Sequence, residues 1–220
     1  VGELGFWEEL AERMERRAEG PDFITIDGGE GGTGAAPMPL IDLVGMPIRE
    51  ALPLLTNLRD EHGLKDRIRM IAAGKLVNPG DVAWAVAAGA DFVTSARGFM
   101  FALGCVQSMK CHNDMCPTGV ATQDATRQRG LVPMEKAERV ARFQRHTLHS
   151  FREMIVAMGL DNPWQIAPAH ISERQNGAQS DSIDRLHHFL EPGELLDSPE
   201  STPYASAWAA ARADTFGEAV

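Results

Sequence analysis

The sequence is poor in cysteine, tyrosine and positive charge. Its 220 residues include three cysteines and one tyrosine, and 31 Asp and Glu outnumber 21 Lys and Arg for a net charge of −10. That balance excludes a nucleic-acid surface, which needs basic charge to meet phosphate, and suits a soluble cytoplasmic protein. No run approaches the ~20 apolar residues that span a bilayer, so no membrane partner is expected. No G-x-x-x-x-G-K-[ST] stretch occurs, which excludes that nucleotide loop. Paired C-x2-C and H-x3-5-H spacings are also missing, which excludes the usual structural zinc sites. With 44% hydrophobic residues, the length suits one globular domain. The sequence opens at Val1, inside a helical pattern, so a piece of a longer polypeptide is expected.

The scarce cysteines are not scattered. Cys105, Cys111 and Cys116 fall within twelve residues in a C-x5-C-x4-C spacing, with His112 after the second and Pro117 after the third. Clustered thiols of this kind read as metal ligands, with buried free cysteine as the alternative, and iron–sulfur groups are held by cysteine thiolates. Three cysteines leave one corner of a four-iron cubane without a ligand, so a three-iron cluster fits the count, unless His112 completes a fourth corner. The odd count and the lack of a leader-like segment argue against disulfides. His112 reads as a neighbour of the cluster, Met109 and Met115 as packing residues. Residues 118–123 are expected to wrap the sulfurs and donate backbone N–H groups to them.

Around this loop the chain alternates strand and helix. Residues 3–18 have amphipathic spacing and end at Gly20-Pro21. A β-rich run, 23–26, opens into a loop with five glycines among residues 28–34, which lets backbone approach a ligand closely. A helix over 48–62 precedes a second strand (68–72) and the loop Ala73-Gly74-Lys75. Asn78 to Asp81 starts an alanine-rich helix, with Asp81 placed to favour its dipole. A third strand (91–94) leads to Ser95-Ala96-Arg97-Gly98 and a further helix. Three βα units imply parallel strands. If they are about strands six to eight of a (β/α)8 TIM barrel, the loops after the last two form a phosphate site. Gly74, Lys75, Ser95, Ala96, Arg97 and Gly98 would then hold that phosphate, with Arg97 suited to bidentate contact. A long helix follows over 133–159. His146 and His149 on it have no acid or cysteine in step and do not read as a metal pair. Residues 172–185 and 191–203 read as loops and 205–213 as a short helix, a tail with no assignable chemistry.

The stretch from Gly104 to Gln123 closely resembles the cluster loop of glutamate synthases. DFITIDGGEGGTGAAP (22–37), IRMIAAGKLVNPGDV (68–82) and GADFVTSARGFMFALGC (89–105) are similar to the last strands of that family's flavin-binding barrel, in the same order. The resemblance runs from about Pro21 to Pro163. It implies an α/β fold: the C-terminal part of an FMN-binding TIM barrel over 1–132, including the cluster loop 104–123, then a helical and irregular extension over 133–220. It implies FMN against Gly31, Gly32, Thr33 and Gly34 and the phosphate loops, and a [3Fe-4S] cluster on Cys105, Cys111 and Cys116. Glu30 and Lys75 become the candidate catalytic residues. Glu30 stands where longer synthases more often have aspartate after a histidine, and Val77 rather than Lys75 aligns with their lysine. The implied reaction is reductive amination of 2-oxoglutarate, through 2-iminoglutarate, to glutamate. Implied partners are ammonia, free or glutamine-derived, an electron donor such as ferredoxin or a reductase subunit, and the missing N-terminal half of the barrel. Two alternatives remain open: a cluster-free FMN or phosphate-binding barrel oxidoreductase, and an inactive cofactor-binding module.

Overall fold

A computed structural model describes residues 1–220 except 18, 32–35, 42–43, 176, 178, 191–192 and 211–220. Three strands, β1 (Phe23–Asp27), β2 (Arg69–Ala73) and β3 (Phe92–Thr94), form a parallel sheet in the order β1-β2-β3. Thr25, Ile71 and Phe92 stand level across it, as do Asp27, Ala73 and Thr94. The crossovers are the helices α2 (Ile48–Glu61) and α3 (Pro79–Ala87), while α1 (Leu4–Arg17) precedes β1 and α4 (Ala96–Leu103) follows β3. The fold is therefore mixed α/β, and the strand and helix positions agree with those expected from the sequence. Closure of a barrel is not part of these residues.

Side chains alternate across a strand, so the sheet has two faces. Ile26, Met70 and Ala72 point to one side and are buried there with Ala51, Leu52 and Leu55 of α2 and Trp84 and Ala85 of α3. Met14 of α1 completes this core. Phe23 and Phe92 point to the other side and are 61% and 57% exposed. Both outer strands also lack a second neighbour among the described residues.

Capping fixes where α3 begins. The Asn78 side chain accepts from the Asp81 N–H at 3.0 Å, and the Asp81 carboxylate accepts from the N–H groups of Val77 and Asn78 at 3.0 and 3.1 Å. This reciprocal box satisfies helix-end donors that would otherwise be orphaned. The 25-residue α6 (Pro133–Ala157), after the short α5 (Ala125–Gln128), packs on α3 and α4. Phe143 of α6 meets Phe99 of α4 edge to face, 5.2 Å between centroids.

The tail is more ordered than its composition suggests. A two-stranded antiparallel ribbon, β4 (Ser172–Arg174) and β5 (Ser180–Ser182), occupies part of the stretch expected to be loop. It is followed by α7 (Ile183–Leu186), α8 (Glu194–Asp197) and α9 (Ala205–Ala210). Ile183 and Leu195 are fully buried. Polar groups of α2 capture the tail backbone: Asn57 accepts from the Leu190 N–H at 3.0 Å, and the Glu61 carboxylate from those of Gly193 and Leu195 at 3.3 and 3.0 Å. The Arg49 guanidinium joins Glu173 at 2.8 Å and Asp81 at 3.2 Å while lying over the Trp84 ring.

Candidate functional site

The carboxyl ends of the three strands open onto one cavity of about 520 Å³. Asp27, Ala73 and Thr94 end the strands at its floor. Glu30 and Gly31 come from the first loop, Gly74 and Lys75 from the second, Ala96 and Arg97 from the start of α4, and Cys105 and Cys111 from the cysteine loop. Eight of the residues singled out in the sequence thus share one wall. In open parallel sheets and barrels alike, ligands sit at this end.

The charged groups are tied together. The Lys75 ammonium lies 3.5 Å from the Glu30 carboxylate. The other Glu30 oxygen accepts from the Ile48 N–H at 3.0 Å, so it holds the first turn of α2. Glu30 therefore has a structural duty besides any chemistry. Lys75 adopts φ +46°, a left-handed backbone conformation that non-glycine residues rarely take. The Arg97 guanidinium donates to the backbone carbonyls of Glu30 and Gly31 at 3.2 and 3.1 Å. It thereby anchors the glycine loop to α4, a role that sequence reasoning did not assign to it.

The remaining candidates divide. Gly74 (φ +141°) lines the cavity, but a Cβ there would also stand 3.0 Å from Ile48, so its glycine has a packing cause. Gly98 faces away from the cavity. A Cβ on it would lie 2.6 Å from the Phe143 ring and 2.8 Å from Ser95 Oγ, so glycine is required for α4 to approach α6. Ser95 also lies outside the cavity wall, bordering a second cavity of about 650 Å³ beside β3 and α6. Its hydroxyl is buried without a hydrogen-bond partner and makes no cap to α4. The first-turn N–H groups of α4, at Ala96 and Arg97, consequently keep the positive end of the helix dipole beside the cavity. Gly32, Thr33 and Gly34 lie outside the described residues.

In the cysteine loop no disulfide joins the three thiols. The Gln107 N–H reaches Cys105 Sγ at 3.5 Å. Cys116 is buried behind the loop, 3.4 Å from the Thr118 hydroxyl. Burial pushes its thiol up, but the Thr118 hydroxyl and the backbone N–H groups of Ala121, Thr118 and Val120 outweigh that and bring it down to about 7. The loop thus favours a thiolate, the form that binds metal. Among the described residues no three His, Cys, Asp or Glu side chains converge to hold a single metal ion. A cluster makes a different demand, because each thiolate takes its own iron and the sulfurs need not meet at one point. Met109 and Met115, expected to be packing residues, are 36% and 47% exposed, and Val106 is 63% exposed. Gln107, Met109 and Asp114 have φ between +51° and +63°, so the backbone of this loop is held in a sparsely populated conformation. His149 of α6 pairs with Glu153 one turn further on, at 3.6 Å, so an acid does stand in step with it although the sequence reading found none.

The sequence matches the conserved region in glutamate synthase over residues 9–161. It is 41% identical over 180 residues to the glutamate synthase large subunit-like protein YerD of Bacillus subtilis, covering 82% of this chain and 34% of that protein. It is 38% identical over 143 residues to an archaeal glutamate synthase [NADPH] of Archaeoglobus fulgidus, covering 64% of this chain and 28% of that one. With the glutamate synthase [NADPH] large chain of Bacillus subtilis it shares 33% identity over 138 residues, 9% of that chain's length. The chain spans about a third or less of these relatives. The matched region contains every strand of the parallel sheet, the cavity at their ends and all three cysteines, and the chain belongs to the glutamate synthase family.

Proposed function

We propose that this chain forms the C-terminal part of a flavin-binding barrel that reductively aminates 2-oxoglutarate to glutamate. Residues 1–132 would supply the barrel part and cysteine loop, and 133–220 a helical extension. The observation that carries the reading is that one cavity joins the two groups of candidate residues, the loops after the strands and the thiols of Cys105 and Cys111. The exposed sheet face, and outer strands that lack a second neighbour among the described residues, support completion by the upstream half of a barrel, since parallel sheets are otherwise covered on both sides.

The residues present fit the implied groups by their donor chemistry. The uncapped start of α4 at Ala96 and Arg97, beside Gly74 and Lys75, offers N–H groups and positive charge to a phosphate such as that of FMN. The Gln107 N–H is aimed at Cys105 Sγ, and the Thr118 hydroxyl and backbone N–H groups around Cys116 favour its thiolate, the form in which a [3Fe-4S] cluster would be held, with Cys111 as the third ligand. When bound, flavin supplies two-electron reduction and the iron–sulfur group a one-electron route to it. The protein's own part is positional and electrostatic. Lys75 presents an ammonium that attracts a carboxylate of the substrate, and Glu30 holds that ammonium in place. Arg97 fixes the glycine loop that walls the cavity. Glu30, 3.5 Å from Lys75, is also the acid placed to hold a proton there. The nitrogen comes from ammonia, free or released from glutamine, and the electrons from a ferredoxin-like carrier or a reductase subunit. No described helix is long and apolar enough to cross a membrane.

The test is anaerobic purification of the full polypeptide followed by absorption spectroscopy, iron and acid-labile sulfide analysis, and an assay of 2-oxoglutarate-dependent glutamate formation. Flavin bands with about three irons per chain, and glutamate formed on addition of reductant, are expected. Flavin without iron would replace this reading by a cluster-free barrel oxidoreductase.

A further inference from the structure

The first turn of α2 holds Lys75 at both of its ends. A non-glycine residue keeps a left-handed backbone such as φ +46° only where its surroundings fix it there. At the side-chain end, one Glu30 oxygen accepts from the Ile48 N–H at 3.0 Å and the other lies 3.5 Å from the Lys75 ammonium. At the backbone end, one Asp81 oxygen accepts from the N–H groups of Val77 and Asn78, two and three residues beyond Lys75. The other Asp81 oxygen is held at 3.2 Å by Arg49, the residue after Ile48. A second nitrogen of Arg49 meets Glu173 of the tail ribbon at 2.8 Å, and the guanidinium lies 4.7 Å from the centroid of the Trp84 ring. Both carboxylates are mostly buried, so these charge-assisted bonds are shielded from solvent. A planar guanidinium can fix two acids at once in this way, which a lysine cannot.

We propose that Arg49 is a positioning residue for Lys75, and that Glu173 of the tail, beyond the residues 9–161 that match the family, sets Arg49 for that role. In the function proposed above the Lys75 ammonium meets a carboxylate of the substrate, and the positioning role rests on that reading. Arg49 lies outside the cavity wall and touches the site only through Asp81 and the backbone of the loop. Glu173 pins one arm of the guanidinium, so the other arm stays on Asp81. Without that pin the long Arg49 side chain regains rotamer freedom. Asp81 then holds Val77 and Asn78 less firmly, and Lys75 relaxes from the left-handed conformation toward commoner ones. Its ammonium leaves Glu30 and the place where the substrate carboxylate binds. The tail is thus part of the support of the substrate loop, although none of its residues lines the cavity.

The experiment is a calorimetric titration of the full polypeptide, with its cofactors, by 2-oxoglutarate, beside KM and kcat for glutamate formation. Lys75→Met is expected to weaken binding at least about tenfold, through loss of a charge-assisted bond. Glu173→Gln keeps the shape of the side chain and removes its charge. It is expected to weaken binding about three- to fivefold and to raise KM by the same factor, with kcat within about twofold of the parent. Asp181→Asn makes the same change of charge on β5, level with Glu173, and leaves binding unchanged. The decisive variant combines Glu173→Gln with Lys75→Met. A residue that acts through Lys75 adds no loss once the ammonium is gone, whereas a general loosening of the fold adds its own. Parent-like affinity in Glu173→Gln, an equal loss in Asp181→Asn, or a further loss in the combined variant overturns the positioning role. If 2-oxoglutarate fails to bind the parent, or binds Lys75→Met as it binds the parent, both the positioning role and the proposed function fall. A loss in Lys75→Met with none in Glu173→Gln counts against the positioning role alone.

Discussion

Ile26, Met70 and Ala72 are buried beneath helices, whereas Phe23 and Phe92, on the opposite face of the same sheet, stand largely in water. On the helix side, the contacts that make the sheet stable all come from within the chain. The carboxyl ends of the strands carry the glycine loop, Lys75, Arg97 and two of the thiols, and the face opposite the helices has no cover among the described residues. Stability and chemistry have thus been placed on different sides of three short strands. The difference teaches that one face of a small sheet can be packed by its own helices while the candidate site is gathered at the strand ends.

Substitutions can break this contrast. Replacement of a thiol has the largest expected effect on the open side: Cys111→Ser lowers iron from about three per chain to less than about one, with far-UV circular dichroism unchanged. On the helix side Trp84→Ala, at a fully buried ring beneath Arg49, costs ~3–5 kcal/mol in urea unfolding. Phe92→Ser sharpens the comparison. In a completed barrel it costs ~3 kcal/mol, whereas a cost below ~0.5 kcal/mol would show that this face remains in water. Gly98→Ala costs ~1–3 kcal/mol by driving a methyl into Phe143, and flavin retained per folded chain would confirm that Gly98 serves packing and not the cofactor.

The smallest effect concerns pH. His62 is buried at the C-terminal cap of α2, where burial lowers its pKa but hydrogen bonds and charge from Glu8 and Glu15 outweigh that and raise it above the ordinary 6.5. Its Nδ1 lies 2.8 Å from Glu15, and Trp208 of α9 packs beside the ring. A raised folded pKa means that this stabilisation is full below pH 6.5 and is lost as pH rises through the folded value. Unfolding midpoints measured from pH 5.5 to 8.5 should fall by more in the parent chain than in the Glu15→Gln variant.

Much of the sheet was legible in advance because apolar β-rich runs and glycine punctuation mark each βα unit. The expected strand over 91–94 and the observed Phe92–Thr94 differ by one residue. The ribbon of the tail was not legible: Ser172–Arg174 and Ser180–Ser182 contain no apolar residue, so no alternation exists to read. Its order comes from elsewhere in the chain, through Arg49 to Glu173 and through burial of Ile183. In the site, motif spacing located the loops but not the direction of side chains. Gly98 turns to α6, Ser95 leaves the cavity wall, and Arg97 spends its hydrogen bonds on carbonyls. Those outcomes depend on how α4 sits against α6, which no local pattern encodes. The exposure of Met109 and Met115 was missed for the same reason, since a methionine in sequence looks like core.

The Arg97 guanidinium has a mechanical consequence. It grips the carbonyls of Glu30 and Gly31 from the first turn of α4, and Cys105 begins two residues beyond that helix's last turn. At 1.5 Å per residue the eight-residue α4 is a stiff rod of ~12 Å. Glycine loop and first thiol are therefore the two ends of one lever. A displacement of the glycine loop would be carried along that rod to the first thiol.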